Sequence, residues 1–190
     1  MPKIDEEEIK RVYIQADLLY SEAEVEQAIN KLAALVTEDM ADKTPVVFPV
    51  LNGGLVVGGK LLTKLNFPLE AGYLHATRYR NTTSGHSLEW LMKPQIDVKG
   101  RAVLIVDDIF DEGITLTEIV NYCHAEGASE VKVAVLVHKN HNRTPTATPA
   151  LQADFIGLEI EDRYVFGYGM DYKGYWRNAP GIFAVRERDR

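Results

Sequence analysis

The chain has 190 residues with an ordinary globular composition, 46% hydrophobic and 26% charged, and its formal net charge is −7. This negative charge excludes a sequence-independent electrostatic attraction to DNA or RNA, whose phosphates would repel it. The single cysteine, Cys123, excludes an intrachain disulfide, and no stretch reaches the roughly 18 apolar residues of a membrane helix. We therefore expect a cytoplasmic protein with no nucleic-acid or membrane partner. The length predicts a single domain over residues 1–190.

Apolar residues recur at helical or strand-like spacing along the chain and predict alternating elements. Ser21 and Glu24 form a capping-box pattern, and the apolar residues that follow predict a first helix over about 22–40. Further helices are predicted over residues 55–65 and 115–124. Strands are predicted over residues 46–51, 69–76, 102–106, 131–137, 154–158 and 164–166.

The first predicted strand contains Pro49, which lacks an amide hydrogen and therefore suits the end of a strand or the edge of a sheet. The central predicted strands are apolar on both faces, as in parallel sheets that helices cover on both sides. The pattern therefore predicts an α/β fold with a mainly parallel central sheet flanked by helices. In such sheets, ligands bind beyond the carboxyl ends of the strands, often at a helix N-terminus.

The most informative segment covers residues 103–115 and has the sequence VLIVDDIFDEGIT. A buried strand ends in two adjacent carboxylates, Asp107 and Asp108, and Gly113 then allows a tight turn before a helix. Backbone N–H groups at this helix start suit a phosphate, whereas the paired acids suit ribose hydroxyls, directly or through Mg²⁺. The spacing alone leaves two other interpretations open, a solvated acidic turn and a receiver domain whose first strand ends in adjacent acids.

This segment resembles the phosphoribosyl diphosphate signature of type I phosphoribosyltransferases: a hydrophobic strand, two acids, two apolar residues and an acidic–Gly–Thr loop. The resemblance implies that Asp107 and Asp108 hold the ribose hydroxyls and that residues 111–115 wrap the 5-phosphate. It also implies that Asp111 is the general base or acid for N7 of a purine. The implied site for phosphoribosyl diphosphate comprises Asp107, Asp108, Asp111, Glu112, Gly113, Ile114 and Thr115.

Two segments before the signature are similar to loops of the hypoxanthine-guanine members of this family. The first resembles their pyrophosphate loop and comprises Leu51, Asn52, Gly53 and Gly54. The family often has a lysine where this chain has Asn52. The second segment covers residues 77–85 and resembles a mobile loop, with Arg78 and Tyr79 where the family usually has Ser-Tyr. Without the resemblance, these segments would be an Asn-Gly turn and a flexible surface loop.

A lysine and an arginine follow the strand predicted over residues 131–137. At the position of Lys139, the family has a lysine that donates to the 6-oxo group of the purine and thereby selects hypoxanthine and guanine over adenine. Arg143 is implied to bind pyrophosphate. A lone lysine after a strand is more often solvated, and the neighbouring His138 and His141 are expected to be loop or core residues because they lack metal-ligand spacing.

The last similar segment covers residues 162–177. Tyr164 is implied to stack on the purine, and the backbone of Val165 to contact the edge of the base. Asp171 is implied to contribute to magnesium coordination, and Arg177 to contact pyrophosphate. The implied magnesium ligands are Asp107, Asp108 and Asp171. Without the resemblance, the aromatic residues would be assigned to core or edge packing.

The combined resemblance implies the type I phosphoribosyltransferase fold, with a small hood region, and a purine salvage enzyme that uses Mg²⁺. Such an enzyme transfers the phosphoribosyl group from 5-phosphoribosyl 1-diphosphate to hypoxanthine or guanine and releases pyrophosphate with IMP or GMP. Xanthine shares the 6-oxo group and stays an alternative base, whereas Lys139 disfavours adenine. An RNA-binding regulator with the same fold is the alternative from another class, and the acidic charge and Asp111 argue against it. Family members commonly assemble, so we expect a homodimer or homotetramer.

Overall fold

The computed structural model describes residues 5–78, 88–141 and 151–186. Its helices are α1 (Glu6–Gln15), α2 (Glu22–Met40), α3 (Gly54–Leu62) and α4 (Ile114–Ala125). Its strands are β1 (Asp17–Ser21), β2 (Val46–Leu51), β3 (Glu70–Ala71), β4 (Leu74–Arg78), β5 (Leu88–Met92), β6 (Ala102–Phe110), β7 (Glu130–Asn140), β8 (Phe155–Glu161), β9 (Val165–Phe166) and β10 (Gly181–Ala184). Among the described helices, none is long and apolar enough to cross a membrane.

Seven strands form a central sheet that is parallel except at one edge. The order across this sheet is β5-β4-β2-β6-β7-β8, and β3 pairs with β2. Within it, β4 and β5 pair antiparallel. A separate three-stranded antiparallel sheet has the order β1-β10-β9. This architecture confirms the predicted α/β fold with a mainly parallel sheet, and the three-stranded sheet forms the hood.

Strand β6 shows why helices cover both faces of the central sheet. Leu104 and Val106 pack with buried residues of α2 and α3, whereas Val103 and Ile105 pack with buried residues of α4. All four side chains are at most 1% exposed. Each such burial contributes on the order of 1.5–3 kcal/mol, so both layers hold β6 in place.

Helix α2 has the bounds that its sequence predicts, because its start is specified locally. The Ser21 hydroxyl accepts a hydrogen bond from the backbone N–H of Glu24, and the Glu24 carboxylate accepts one from the backbone N–H of Ser21. This capping box satisfies amides that the helix leaves without partners. The apolar face, which includes Ile29 and Leu32, is fully buried against the sheet.

The prediction of a single strand over residues 69–76 is wrong, because two strands, β3 and β4, lie there. They pair with β2 at different positions along its length. The pairing of β3 reaches Val47, whereas that of β4 begins at Val50. Pro49 lies inside β2, between these two pairings, so the expectation of a strand end or sheet edge is also wrong. The Val47 carbonyl accepts a hydrogen bond from Gly72, and by the two-residue alternation of a strand the Pro49 nitrogen faces the gap on the same side.

Strands β6 and β7 both extend beyond their predicted ends. Strand β6 continues through Phe110, so Asp107 and Asp108 lie within it rather than at its end. Strand β7 likewise includes Lys139, which was expected to follow it. The two strands pair in parallel along these extensions. The apolar pattern that predicts each strand ends at its first charged or polar residues, but the hydrogen-bonded pairing of the two strands continues past them.

Helix α1 and strands β1, β5 and β10 carry no prediction from the sequence. Helix α1 begins after Asp5, whose side chain accepts a hydrogen bond from the backbone N–H of Glu7, and it buries Ile9 and Val12. Val12 packs in a small cluster that includes Phe166 of β9. Helix α1 therefore belongs to the hood, and two buried residues gave too short an apolar pattern for prediction.

Candidate functional site

A cavity of about 500 Å³ opens at the carboxyl ends of the central strands β2, β6 and β7. The start of α4 forms one side, and residues 164–177, which we call the cover segment, form another. Parallel sheets of this class bind their ligands at this edge. The lining residues are Val50, Leu51, Gly53, Ala76, Asp107, Asp108, Ile109, Asp111, Gly113, Ile114, Thr115, Leu116, Lys139, Tyr164, Val165, Met170, Asp171 and Arg177.

Two adjacent carboxylates of β6 lie in this cavity. Asp108 is only 7% exposed, and its backbone N–H donates to Asp107 Oδ1 at 2.9 Å. Burial is the main cause that raises the pKa of Asp108 to about 6 and the pKa of Asp107 well above its usual range, with the Asp108 charge adding to the effect on Asp107. Arg177 opposes both shifts. Cations or hydroxyl donors would therefore stabilise the ionised form of this pair.

The loop after β2 approaches these acids closely because it contains glycine. A Cβ on Gly53 would lie 2.2 Å from Asp108 Oδ2, and a Cβ on Gly169 would lie 2.1 Å from the carbonyl oxygen of Gly53. Any residue other than glycine at position 53 or 169 would therefore displace the neighbouring atoms. Leu51 and Gly53 line the cavity, whereas Asn52 between them is exposed.

The turn into α4 presents a helix N-terminus to the cavity. Gly113 has a φ of 71°, and a Cβ there would lie 2.5 Å from the ring of Phe110. Thr117 donates both its hydroxyl and its backbone N–H to the Gly113 carbonyl, at 2.9 and 2.8 Å. Gly113, Ile114 and Thr115 line the cavity, so the positive end of the helix dipole can bind an anion there.

Lys139 reaches from β7 to the acid that follows β6. Its Nζ lies 3.1 Å from Asp111 Oδ2 and 3.8 Å from Asp162 Oδ1, and its side chain is 11% exposed. His141 Nε2 lies 3.1 Å from the backbone oxygen of Asp111 and 3.4 Å from its Oδ1. A hydrogen-bond donor and an acceptor thus lie side by side in a cavity whose wall includes the ring of Tyr164.

The cover segment supplies an aromatic ring and an ion pair. Tyr164 is 38% exposed, and its ring centroid lies 5.6 Å from that of Tyr172. The Arg177 guanidinium lies 2.5 Å from Asp171 Oδ1 and also donates to a backbone carbonyl of the segment. Asp171 and Arg177 both line the cavity, so this end of the site carries charges of both signs.

The cavity contains oxygen donors of the kind that Mg²⁺ prefers, namely the carboxylates of Asp107, Asp108 and Asp171. Within the described part of the chain, no group of three or more His, Cys, Asp or Glu residues is arranged to hold a metal by itself. Magnesium usually keeps several waters and is bound by one or two carboxylates together with substrate phosphates. The donor set therefore fits a magnesium ion that arrives with a phosphorylated ligand.

The structure brings most of the predicted site residues into this one cavity. Glu112 lies in the turn between two lining residues, Asp111 and Gly113. Tyr79 and Arg143 lie outside the described residues, as does the side chain of Arg78, whose backbone ends β4. The roles expected for those three residues stay predictions.

The sequence implies no site role for His141 or Met170. His141 follows Lys139 by two residues, and the alternation of an extended strand places both on one side of the chain. That spacing is the signal that could have found it. Met170 lines the cavity but carries no polar chemistry, so nothing in the sequence distinguishes it from a core residue.

Comparison with known sequences gives one family and several relatives of similar length. The model of the phosphoribosyl transferase domain matches residues 15–173. The hypoxanthine-guanine-xanthine phosphoribosyltransferase of Tritrichomonas foetus is 33% identical over 170 residues, which are 90% of this chain and 91% of that protein. The hypoxanthine-guanine phosphoribosyltransferase of Bacillus subtilis is 32% identical over 170 residues, which are 89% of this chain and 92% of that protein.

Solved structures agree with the sequence comparisons. A structure of a hypoxanthine-guanine-xanthine phosphoribosyltransferase is similar with a TM-score of 0.80 at 31% identity, over 90% of this chain and 97% of that one. A structure of a hypoxanthine-guanine phosphoribosyltransferase from Bacillus anthracis is similar with a TM-score of 0.80 at 28% identity, over 90% of this chain and 98% of that one.

Proposed function

The chain belongs to the phosphoribosyltransferase family, and we propose that it is a purine salvage enzyme that makes IMP or GMP. It transfers the phosphoribosyl group of 5-phosphoribosyl 1-diphosphate to hypoxanthine or guanine and releases pyrophosphate. The observation that carries this proposal is the contact between Lys139 Nζ and Asp111 Oδ2 at 3.1 Å, in a cavity that also contains the acidic pair of β6.

The donor and the acceptor of this contact are complementary to one edge of a 6-oxopurine. The 6-oxo group accepts a hydrogen bond, and the neighbouring N7 carries or releases a proton. A donor and an acceptor at 3.1 Å can meet these two atoms together, with Lys139 donating to the oxo group and Asp111 accepting from N7. Tyr164, in the cavity wall, stacks on the base, and the backbone of Val165 contacts its other edge. Adenine places an amino donor where Lys139 needs an acceptor, so adenine fits poorly.

The ribose and phosphate groups of the co-substrate fit the opposite side of the cavity. Asp107 and Asp108 accept hydrogen bonds from the ribose hydroxyls, and this interaction favours their ionised form. The 5-phosphate binds the turn of residues 111–115, where backbone N–H groups and the Thr115 hydroxyl meet an anion at a helix N-terminus. Glu112 and Ile114 shape that turn.

Pyrophosphate leaves from the side of the cavity formed by the loop after β2 and by Arg177. The loop residues there are Leu51, Asn52, Gly53 and Gly54. As the bond between C1 and the diphosphate oxygen breaks, its electron pair goes to pyrophosphate and positive charge develops on the ribose. The lone pair of N9 forms the new bond to C1, and the N7 proton passes to Asp111. Arg177 stabilises the leaving group, and we assign the same role to Arg143.

Magnesium fits this scheme as an ion bound by the substrate and by the carboxylates of Asp107, Asp108 and Asp171. When bound, it neutralises charge on the diphosphate. Asp171 is paired with Arg177 at 2.5 Å, so these two side chains can exchange partners when the substrate enters. Arg78 and Tyr79 are proposed to belong to a loop that covers the reacting atoms and excludes water.

The domain organisation, location and assembly of the enzyme are also proposals. We infer that residues 1–190 act as one domain in the cytoplasm, as a homodimer or homotetramer, on small-molecule substrates alone. A sedimentation measurement of mass in solution tests the assembly, and a monomer at micromolar concentration would contradict it.

Nucleotide formation from 5-phosphoribosyl 1-diphosphate and Mg²⁺ tests the proposed activity, with hypoxanthine, guanine, xanthine and adenine assayed in parallel. We expect turnover of hypoxanthine and guanine and little turnover of adenine. Asp111→Asn keeps the shape of the side chain but cannot take the N7 proton, so its kcat should fall by about 10²–10⁴-fold. Folded protein that turns over no 6-oxopurine would overturn the proposal, and salt-sensitive RNA binding by that protein would point to a regulator instead.

Xanthine is a second candidate base, because the relative from Tritrichomonas foetus is named for hypoxanthine, guanine and xanthine. All three bases share the 6-oxo group that Lys139 contacts, so that contact does not separate them. The ratio of kcat/KM values for xanthine and hypoxanthine in the same assay decides whether xanthine is a substrate.

A further inference from the structure

Helix α1 contacts the cover segment, although almost all of it precedes the residues that match the domain model of the family. The helix spans Glu6–Gln15, whereas the match to the phosphoribosyl transferase domain covers residues 15–173. Its buried residue Val12 packs with Phe166 and Tyr172. Helix α1 therefore packs on the purine side of the proposed site.

The cover segment has an unusual backbone that requires support from outside. Three residues that are not glycine have positive φ angles there, namely Tyr168 at 48°, Lys173 at 48° and Trp176 at 65°. This left-handed conformation is uncommon for such residues and persists where surrounding contacts fix it. The contacts of each of these residues therefore determine the shape of the segment.

Helix α1 supplies contacts to two of these three residues. Glu8 Oε1 accepts hydrogen bonds from Lys173 Nζ at 2.7 Å and from the Tyr172 hydroxyl at 2.8 Å. The indole N–H of Trp176 donates to the backbone carbonyl of Ile9 at 2.8 Å, and its ring stacks on that of Tyr13 at 4.5 Å. The helix thus holds the segment at two neighbouring points.

The same contacts lead directly to the aromatic ring in the cavity wall. The ring of Tyr172 lies 5.6 Å from that of Tyr164, centroid to centroid. The backbone N–H of Lys173 donates to the Tyr164 hydroxyl at 3.3 Å. Both residues that Glu8 binds through their side chains therefore touch Tyr164, and Asp171 directly precedes them.

We propose that helix α1 positions the purine side of the active site, and that Glu8 is the positioning residue that acts through Tyr172 and Lys173 on Tyr164. The kinetic consequence of this inference rests on the proposed function. The Glu8 carboxylate hydrogen bonds to Tyr172 and Lys173, and both residues contact Tyr164. Weakening these bonds should therefore affect the binding of the purine more than that of 5-phosphoribosyl 1-diphosphate, whose proposed contacts lie mainly on β6, α4 and the loop after β2.

A series of substitutions in the first turn of α1 tests this role. Glu8→Ala removes both hydrogen bonds, whereas Glu8→Gln keeps an acceptor for Tyr172 and removes the charge that attracts Lys173. Glu6→Ala is the matched control, because Glu6 is an exposed acid in the same first turn and has the same favourable interaction with the helix dipole.

We expect Glu8→Ala to raise the KM for hypoxanthine by about five- to tenfold, the net effect of losing roughly one ordinary hydrogen bond. Glu8→Gln should lie between Glu8→Ala and the wild type, and Glu6→Ala should match the wild type. The KM for 5-phosphoribosyl 1-diphosphate should stay within about twofold in every variant. A KM for hypoxanthine that is the same in Glu8→Ala and Glu6→Ala would overturn the proposal, as would an equal rise in both KM values.

Hydrogen exchange of backbone amides separates this inference from the proposed activity. In Glu8→Ala, amides of residues 164–177 should exchange faster than in Glu6→Ala, while those of β6 and α4 stay unchanged. If the wild-type protein turns over no purine, the proposed function fails and this comparison alone decides the positioning role. Equal exchange of residues 164–177 in the two variants would then refute it.

Discussion

Replacing Asp108 with asparagine should stabilise the ligand-free protein at neutral and alkaline pH. Burial raises the pKa of this carboxyl from 3.8 to about 6, so the folded chain binds the proton more tightly than the unfolded chain does. The stability gained from the protonated group is fully present below the unfolded pKa and is lost as the pH rises through about 6. One pKa unit corresponds to about 1.4 kcal/mol, so ionising Asp108 at pH 8 costs the folded state about 3 kcal/mol.

Asparagine has nearly the same shape as aspartate but carries no charge, so the variant avoids this cost. Its amide N–H groups need acceptors, and this requirement reduces the gain. The Asp108 charge also raises the pKa of Asp107, so removing that charge relieves a second unfavourable ionisation. We expect the free energy of unfolding of Asp108→Asn to exceed that of the wild type by about 1–3 kcal/mol at pH 8, and by about half as much at pH 5.

Urea unfolding of the ligand-free proteins at pH 8 and pH 5 measures this difference. Glu6→Gln is the control, because Glu6 is an exposed carboxylate in the first turn of α1, and its neutralisation relieves no burial and should not stabilise the fold. Asp108→Asn should also lose turnover, since it removes a contact proposed for the ribose. A variant that is less stable than the wild type at pH 8, or a difference that grows toward pH 5, would refute the argument from burial.

Three further substitutions test separate parts of the site. Lys139→Met removes the donor to the 6-oxo group, so kcat/KM for hypoxanthine should fall by about 10–100-fold in steady-state assays. Gly169→Ala places a Cβ 2.1 Å from the Gly53 carbonyl oxygen at a φ of 110°, and urea unfolding should show a loss of about 2–4 kcal/mol. Asn52→Lys restores a cation to the proposed pyrophosphate loop, and the KM for 5-phosphoribosyl 1-diphosphate should fall by about 3–10-fold at low salt and by less at high salt.

Features that depend on neighbouring residues in the sequence were predicted well. The bounds of α2 follow from the capping box of Ser21 and Glu24 and from the periodic apolar residues after it. The loop of residues 111–115 is contiguous, so its turn and the helix after it could be recognised together. Cys123 has the same helical spacing as the apolar residues of α4, and it is buried with them.

Features that depend on contacts between distant residues could not be derived in this way. The distance between Lys139 and Asp111 is set by the parallel pairing of β6 and β7, which continues past the point where each strand becomes polar. The cover segment depends on positive φ angles at residues such as Trp176, and no sequence rule predicts that conformation for a tryptophan. Its support by Ile9 links residues 167 positions apart.

The two sides of the site therefore rest on different supports. Asp107 and Asp108 lie on β6, whose apolar side chains are buried on both faces of the central sheet, and α4 packs on one of these faces. Tyr164 and Asp171 belong to the cover segment, whose buried residues divide between two clusters. Val165, Tyr168 and Met170 pack in the large cluster, whereas Phe166 and Tyr172 pack in the small cluster that includes Val12 of α1. Local opening costs less free energy where fewer apolar contacts are buried. The part of the cover segment that packs in the small cluster should therefore open more easily than the part that packs in the large one. Because α1 contributes Val12 to that small cluster, a helix that does not line the cavity can still affect the affinity for the base.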